Sequence, residues 1–153
     1  MIVTPLGVGA GSLAILAALP DAEAEATIEA SAGEIASRYP DFSPAMLRDL
    51  AKQARARGFA LNPGLLMAGS WGIGVPILDR QGRCDGALSI AAIESRLGPD
   101  RQQELALLLK AEAQRLAERL AKPAGASNLS PPAPPRPAAR RRSEAVVTLD
   151  NRN

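Results

Sequence analysis

The spacing of apolar residues changes at Gly58, and this change is the strongest constraint on the fold. Before it, Ser43, Pro44 and the run AMLRDLAKQARARG have the N-cap, first-turn proline and C-terminal glycine of an α-helix. After it, apolar residues alternate through FALN, WGIGVPILD and CDGALSIAAI, a period of two that is typical of β-strands. The sequence therefore predicts an α+β fold.

The last two predicted strands are separated only by the segment DRQGR, so we expect them to form an antiparallel hairpin. Alternation places Trp71 and Ile73 on one face of the first strand, and Gly72 and Gly74 on the other. Pro76 has no amide hydrogen to donate to a neighbouring strand. The sequence therefore predicts an edge strand, or an irregular strand, at Pro76.

Three further segments have helical spacing. A short buried helix capped by Ser12 is predicted to run to Pro20, and an Ala/Glu-rich surface helix, or two short helices, is predicted from Asp21. A long amphipathic helix is predicted beyond Pro99, where it is expected to cover a face of the sheet. Its predicted apolar stripe consists of Leu105, Leu108, Leu109, Ala113, Leu116 and Leu120.

Composition changes near the C-terminus of the 153-residue chain. Residues 1–121 carry 12 basic and 14 acidic side chains, whereas 122–153 carry 6 basic and 2 acidic side chains and include PPAPPRPAARRR. This indicates one domain over 1–121 and a disordered Pro/Arg-rich tail over 122–153. Because the folded part has no excess of basic charge, it is not predicted to bind nucleic acid. A solvated tail is favoured over one that binds nucleic acid or membrane.

Residue types exclude several classes of function. The chain has no histidine and a single cysteine, Cys84, so a Ser-His-Asp triad, a Cys/His zinc cluster and an internal disulfide are excluded. Cys84 is expected to be an apolar filler. Ser70 and Ser89 lack an activating partner, while Asp79 and Asp85 flank the hairpin turn and are expected to be solvated. We predict no enzyme, no metal and no cofactor.

The glycines of GVGAGS do not form a nucleotide site, because no lysine follows them and their spacing matches neither a P-loop nor a dinucleotide fingerprint. They precede a helix start, where free amides suit a carboxylate or a phosphate. The nearby apolar run LAILAALP is too short to span a bilayer, and no basic segment precedes it. We therefore expect a cytoplasmic protein that does not insert into membranes.

Four motifs in order resemble the effector-binding domain of IclR-type bacterial transcriptional regulators. They are the helix start in PLGVGAGSLAILAALPDAE, the beginning of a strand in ARARGFALNPG, the hairpin GIGVPILDRQGR and the strand ALSIAA. The resemblance covers roughly residues 4–120. It implies a fold like that of GAF and profilin-type sensor domains, with an antiparallel sheet flanked by helices and a small-molecule pocket between the sheet and the helix starts.

The resemblance also implies the residues of that pocket. The backbone amides of Gly9 and Ala10 would hold the carboxylate of a small organic or aromatic acid, and a helix start suits such an anion. Asn62, Gly72 and Ala91 stand where similar regulators have an acidic residue, a cysteine and a second serine, which implies a larger or more apolar effector. The other implied lining residues are Asn62, Ser70, Trp71, Gly72, Ser89 and Ala91, with Trp71 near the mouth.

In IclR-type regulators the effector alters how an oligomer presents N-terminal winged helix-turn-helix domains to DNA. This sequence begins after that region and has roughly half of the expected strands, so we expect a domain that is incomplete at its N-terminus, with an unpaired sheet edge. One hypothesis is an effector sensor that forms homo-oligomers or pairs with full-length relatives and acts on DNA only indirectly. The alternative is a truncated or dominant-negative interaction fragment without a sensing role.

Overall fold

A computed structural model describes residues 4–121 and the strand at 143–148. The described residues form four α-helices and a four-stranded sheet of order β1-β2-β3-β4, so the α+β prediction is confirmed. No helix among them is both long and apolar enough to cross a membrane. The elements are α1 (Ala10–Ala18), α2 (Asp21–Arg38), α3 (Pro44–Arg57), β1 (Ala60–Met67), β2 (Ser70–Leu78), β3 (Cys84–Ile93), α4 (Pro99–Ala121) and β4 (Ser143–Thr148).

β2 is the centre of an antiparallel sheet formed with β1 and β3. Its pairing with β1 begins with Ala60 opposite Gly74, so β1 does not extend to Pro76. The prediction of an edge strand is therefore wrong for β2 as a whole. At Pro76 itself, β2 has no β1 residue opposite it, which is where a residue without an amide hydrogen is tolerated.

β4 lies beside β3 in parallel, with Gly86 opposite Ser143 and Ala91 opposite Thr148. This strand differs from the expectation of disorder over 122–153. The physical reason is that the edge of β3 offers unpaired backbone groups, while the segment SEAVVT contains β-branched residues that favour strands. The remainder of that predicted tail, 122–142 and 149–153, lies outside the described residues.

α1 is the central helix, and its residues from Ala10 to Leu16 are buried. It begins at Ala10 with Gly9 as the N-cap, three residues earlier than the expected cap at Ser12. Ser12 is therefore not the cap. Its Oγ accepts a hydrogen bond from the Gly9 amide at 2.9 Å and donates one to the Gly9 carbonyl oxygen at 3.0 Å, which stabilises the first turn from inside the helix.

Two glycines of β2 allow α1 to lie directly on the sheet. A β-carbon placed on Gly74 would be 2.3 Å from the Ala10 carbonyl oxygen, and one on Gly72 would be 3.0 Å from the Ala10 Cβ. No side chain fits within the first distance. The first turn of α1 is therefore packed against the backbone of β2 rather than against side chains.

The other two helices before the sheet are α2 and α3. α2 is one continuous helix in spite of Gly33, and Asp21 is its first residue, with Pro20 rather than Asp21 as the N-cap. α3 has the predicted boundaries. Its Ser43 cap accepts the Met46 amide at 3.2 Å, and Gly58 ends it with a positive φ of 86°.

Apolar side chains are buried on both faces of the sheet. One cluster joins α1, α2 and α3, and α4 covers the other cluster, as predicted. The predicted stripe of α4 is wrong at Leu108 and Leu120, which are 59% and 63% exposed. Gln102 is buried instead, because its Nε2 donates to the Leu97 carbonyl oxygen at 2.7 Å.

The hairpin turn depends on Asp79, which is not solvated as expected because its side chain is only 15% exposed. Its carboxylate accepts the amides of Gln81 and Arg83 at 2.9 Å and the Arg83 Nε at 2.7 Å. Burial tends to raise the pKa of Asp79, but the hydrogen bonds from Arg83 and Gln81 outweigh it and leave the pKa below its usual value. Asp85 is exposed.

We predict that Gly74→Ala destabilises the domain by about 3 kcal/mol, because the added methyl group forces α1 off the sheet. The matched control is Gly33→Ala, where a β-carbon meets nothing within 4 Å and the substitution should stabilise α2 by about 0.5–1 kcal/mol. Urea unfolding of both variants measures the difference. Equal stability of the two variants would contradict the packing described here.

Candidate functional site

A cavity of about 190 Å³ lies where the first turn of α1 meets the three antiparallel strands. All eight residues implied by the sequence resemblance line it, and three further apolar residues that the sequence did not indicate line it as well. The lining consists of Gly9, Ala10, Asn62, Leu66, Met67, Ser70, Trp71, Gly72, Ser89, Ile90 and Ala91.

Sheet register brings most of these residues together. Asn62 of β1 lies opposite Gly72 of β2, which in turn lies opposite Ala91 of β3. Ser89 lies in the next row of the same face, opposite Gly74. Residues far apart in the sequence therefore form one floor beneath the start of α1.

The helix start supplies backbone N–H groups, but not the pair that was expected. The Gly9 amide already donates to Ser12 Oγ, so Gly9 lines the cavity without a free amide. Ala10 is the first helical residue, and an amide at that position has no acceptor within the helix. The positive end of the helix dipole adds to its attraction for an anion.

Asn62 acts as a positioning residue and is only 6% exposed. Its Nδ2 donates to the Val8 carbonyl oxygen at 2.8 Å, and its Oδ1 accepts the Leu65 amide at 2.9 Å. Val8 immediately precedes the N-cap Gly9, and Leu65 lies in the irregular part of β1 between Pro63 and Met67. Asn62 thus fixes the irregular part of β1 to the loop that leads into α1.

Ser89 supplies a hydroxyl group to the cavity, although the residue as a whole is only 3% exposed. Its Oγ makes no hydrogen bond with any residue from 4 to 121, and because no fully buried side-chain oxygen or nitrogen of the described residues lacks a partner, this oxygen is open to the cavity. An acceptor atom inside the cavity would provide that partner. Ser70, the other serine of the lining, is only half-buried.

Trp71 borders the cavity, near whose mouth it was expected. Its side chain also packs against the apolar cluster beneath α4, which includes Ile73 and Val75. Alternation along β2 explains this, because residues 71, 73 and 75 share the face opposite Gly72 and Gly74. The exposed Leu66 and Met67 of β1 lie at the cavity as well.

The cavity lining carries no charge, because none of its residues is acidic, basic or otherwise titratable. Within the described residues there is no cluster of three potential metal ligands. Cys84 is remote from the lining, and its thiol donates to the Gly86 carbonyl oxygen at 3.2 Å, which agrees with a packing role. The site can therefore bind through neutral donors and apolar contact alone.

A larger cavity of about 480 Å³ lies between the C-terminal half of α4 and the end of β2. It contains none of the residues implied by the resemblance. Its walls include Val75, Leu78 and Ala113, with Lys110 and Glu118 at its border. The smaller cavity is the candidate functional site, because a helix start and the Ser89 hydroxyl, which has no hydrogen-bond partner among residues 4–121, meet there.

A comparison with known protein families shows which family the chain belongs to. Residues 3–118 match the family described as bacterial transcriptional regulator IclR, C-terminal. The chain belongs to the IclR C-terminal family. Solved IclR regulators share its fold, and no curated protein sequence matches the chain.

Three solved structures illustrate the similarity. An IclR transcriptional regulator from Silicibacter sp. TM1040 is 29% identical, with a TM-score of 0.63, over 78% of this chain and 46% of that one. The Thermotoga maritima IclR is 24% identical, with a TM-score of 0.65, over 76% and 47%. The C-terminal domain of Escherichia coli KdgR is 23% identical, with a TM-score of 0.65, over 78% and 73%. This IclR-family chain thus spans a little under half the length of the first two regulators.

We predict that Asn62→Ala destabilises the domain by about 1–3 kcal/mol, because it leaves the Val8 carbonyl and the Leu65 amide without partners. It should also speed amide hydrogen exchange at the start of α1. Gln102→Ala is the matched control, since it removes a buried amide on the other face of the sheet. The control should lose stability, and its amide exchange at Ala10 should rise only as much as that loss of global stability predicts. If exchange at the start of α1 rises beyond the loss of stability in both variants, the proposed role of Asn62 is contradicted.

Proposed function

We propose that this chain is the effector-sensing domain of an IclR-family transcriptional regulator and that the 190 Å³ cavity binds a small organic or aromatic acid. The observation that carries the proposal is that Ala10, the first residue of α1, and Ser89, whose hydroxyl has no partner among residues 4–121, line one cavity. Their amide and hydroxyl groups donate hydrogen bonds to a carboxylate, and the helix dipole favours its negative charge. Exposure of part of the lining provides access for the ligand.

Size and polarity narrow the ligand class. An apolar cavity of about 150 Å³ is large enough to hold benzene, so this one suits an acid of roughly the size of benzoate. Leu66, Met67 and Ile90 offer apolar contact. Because the lining contains no cation to neutralise a second negative charge, we infer that the ligand is a monocarboxylate.

The proposed regulatory step depends on the two structural elements that the ligand would connect. A carboxylate held by Ala10 and Ser89 connects α1 to β3, so it favours conformations in which these elements are close together. Exposed leucines on α4, Leu107 and Leu108, favour association with a second copy or with a full-length relative. Through such an oligomer, the domain would act in the cytoplasm on transcription, with DNA contacted only by the winged helix-turn-helix domains of the regulator.

The second candidate is an interaction fragment with no ligand, and the same exposed leucines favour it. Thermal unfolding with a panel of aliphatic and aromatic monocarboxylates separates the two. A ligand present at 100 times its Kd stabilises the native state by about 2.7 kcal/mol, which raises the unfolding midpoint. If no acid in the panel raises the midpoint, the interaction fragment is the correct assignment.

We predict that Ser89→Ala weakens binding of the acid by about tenfold, because it removes a hydrogen bond to a charged group. The variant should unfold no more easily than the parent chain, since the hydroxyl has no partner to lose among residues 4–121. Ser37→Ala, an exposed position on α2, is the control and should bind normally. Titration calorimetry measures the affinities, and equal affinity in all three chains would remove Ser89 from the site.

We also predict that affinity for the acid is constant between pH 6 and pH 9. The ligand carboxyl group, with a pKa of about 4, is ionised throughout this range, and no residue of the lining titrates. Calorimetric titrations at several pH values test this. An affinity that falls more than about threefold towards pH 9 would show that a cationic side chain binds the acid, which contradicts the proposed neutral site.

A further inference from the structure

The outer edge of β3 has the properties of a strand acceptor. β2 pairs with β3 along its whole length on one side, so a further strand can join β3 only on its other side. Between Gly86 and Ala91 that edge contains no proline, no charged residue and no bulge. Natural edge strands use these features to avoid pairing with other chains, and this segment has none of them.

β4 occupies this edge over six consecutive positions, from Gly86 opposite Ser143 to Ala91 opposite Thr148. Its backbone also lies close to α1. Parallel neighbours need a crossover connection of a dozen or more residues. Here α4 and the 21 residues from 122 to 142 supply it.

We propose that the outer edge of β3 is a strand-acceptor site, that the chain's own segment Ser143–Thr148 is its occupant, and that this strand prevents two copies from pairing through the same edge. A tethered segment has an effective concentration on the order of millimolar. At micromolar protein concentration it therefore outcompetes the same edge of a second molecule. The C-terminal segment is then part of the domain rather than an appendage.

The acceptor edge and the effector cavity share residues of β3. Ser89 lies opposite Val146 and Ala91 lies opposite Thr148, and both β3 residues line the cavity. If the proposed function holds, β4 therefore supports the wall of the effector site. The pairing of β4 with β3 is tested without any ligand, so a negative result there can be distinguished from a failure of the effector proposal.

The test replaces two consecutive residues of β4 in the full chain, Val146→Pro and Val147→Pro, because amides in a strand alternate in direction. We expect hydrogen exchange to accelerate at least tenfold at those residues of Leu88–Ala91 whose amides face β4, while the alternate amides that face β2, together with Ile73 and Val75 in β2, stay protected. The variant should also self-associate more than the parent chain as concentration rises. The matched control is Ala138→Pro with Ala139→Pro, outside the strand. Exchange at Leu88–Ala91 that equals that of the parent chain would overturn the proposal.

A second measurement does not depend on the folding of the proline variant. In a Cys84→Ala background, a nitroxide is attached at Asp150→Cys or, in a separate chain, at Arg141→Cys. The parallel register predicts broadening of amide signals near Ala91 from the first label and near Gly86 from the second. Absence of broadening at β3, or the reverse pattern, would show that the segment does not pair there as proposed.

Discussion

Contact between the first turn of α1 and the backbone of β2 is the interaction on which the rest of the structure depends. It exists because Gly74 has no side chain at a point where a β-carbon would lie 2.3 Å from the Ala10 carbonyl oxygen. The close approach brings the first turn of α1 onto the sheet, and Asn62 holds the preceding loop through the Val8 carbonyl. Ala10, Asn62 and Gly72, which take part in this contact, also line the cavity.

The cavity is unusual in having no charge to match the acid proposed to bind there. A helix start and a hydroxyl group attract an anion without a buried cation, so the empty site avoids the desolvation cost of an unpaired charge. Such a site discriminates by size and by apolar contact more than by charge.

The two faces of the sheet and its β3 edge have different neighbours. The α1 face forms the cavity, whereas the α4 face is filled by apolar side chains and Gln102. The edge of β3 is occupied by β4, and the exposed leucines of α4 remain available for contact with other chains. The cavity and the β3 edge therefore share residues of β3, whereas the exposed leucines of α4 lie on a different part of the domain.

The sequence by itself determined the α+β class, the helix from Ser43 to Gly58 and the hairpin, because these depend on local spacing, and its resemblance to a family indicated eight of the eleven residues that line the cavity. Only the tertiary structure decided which groups are free. Ser12 uses the Gly9 amide, and Trp71 packs beneath α4. The pairing of Ser143–Thr148 with β3 was likewise decided by an available edge. Hydrogen-bond partners and strand neighbours lie far apart in the chain, so no local pattern specifies them.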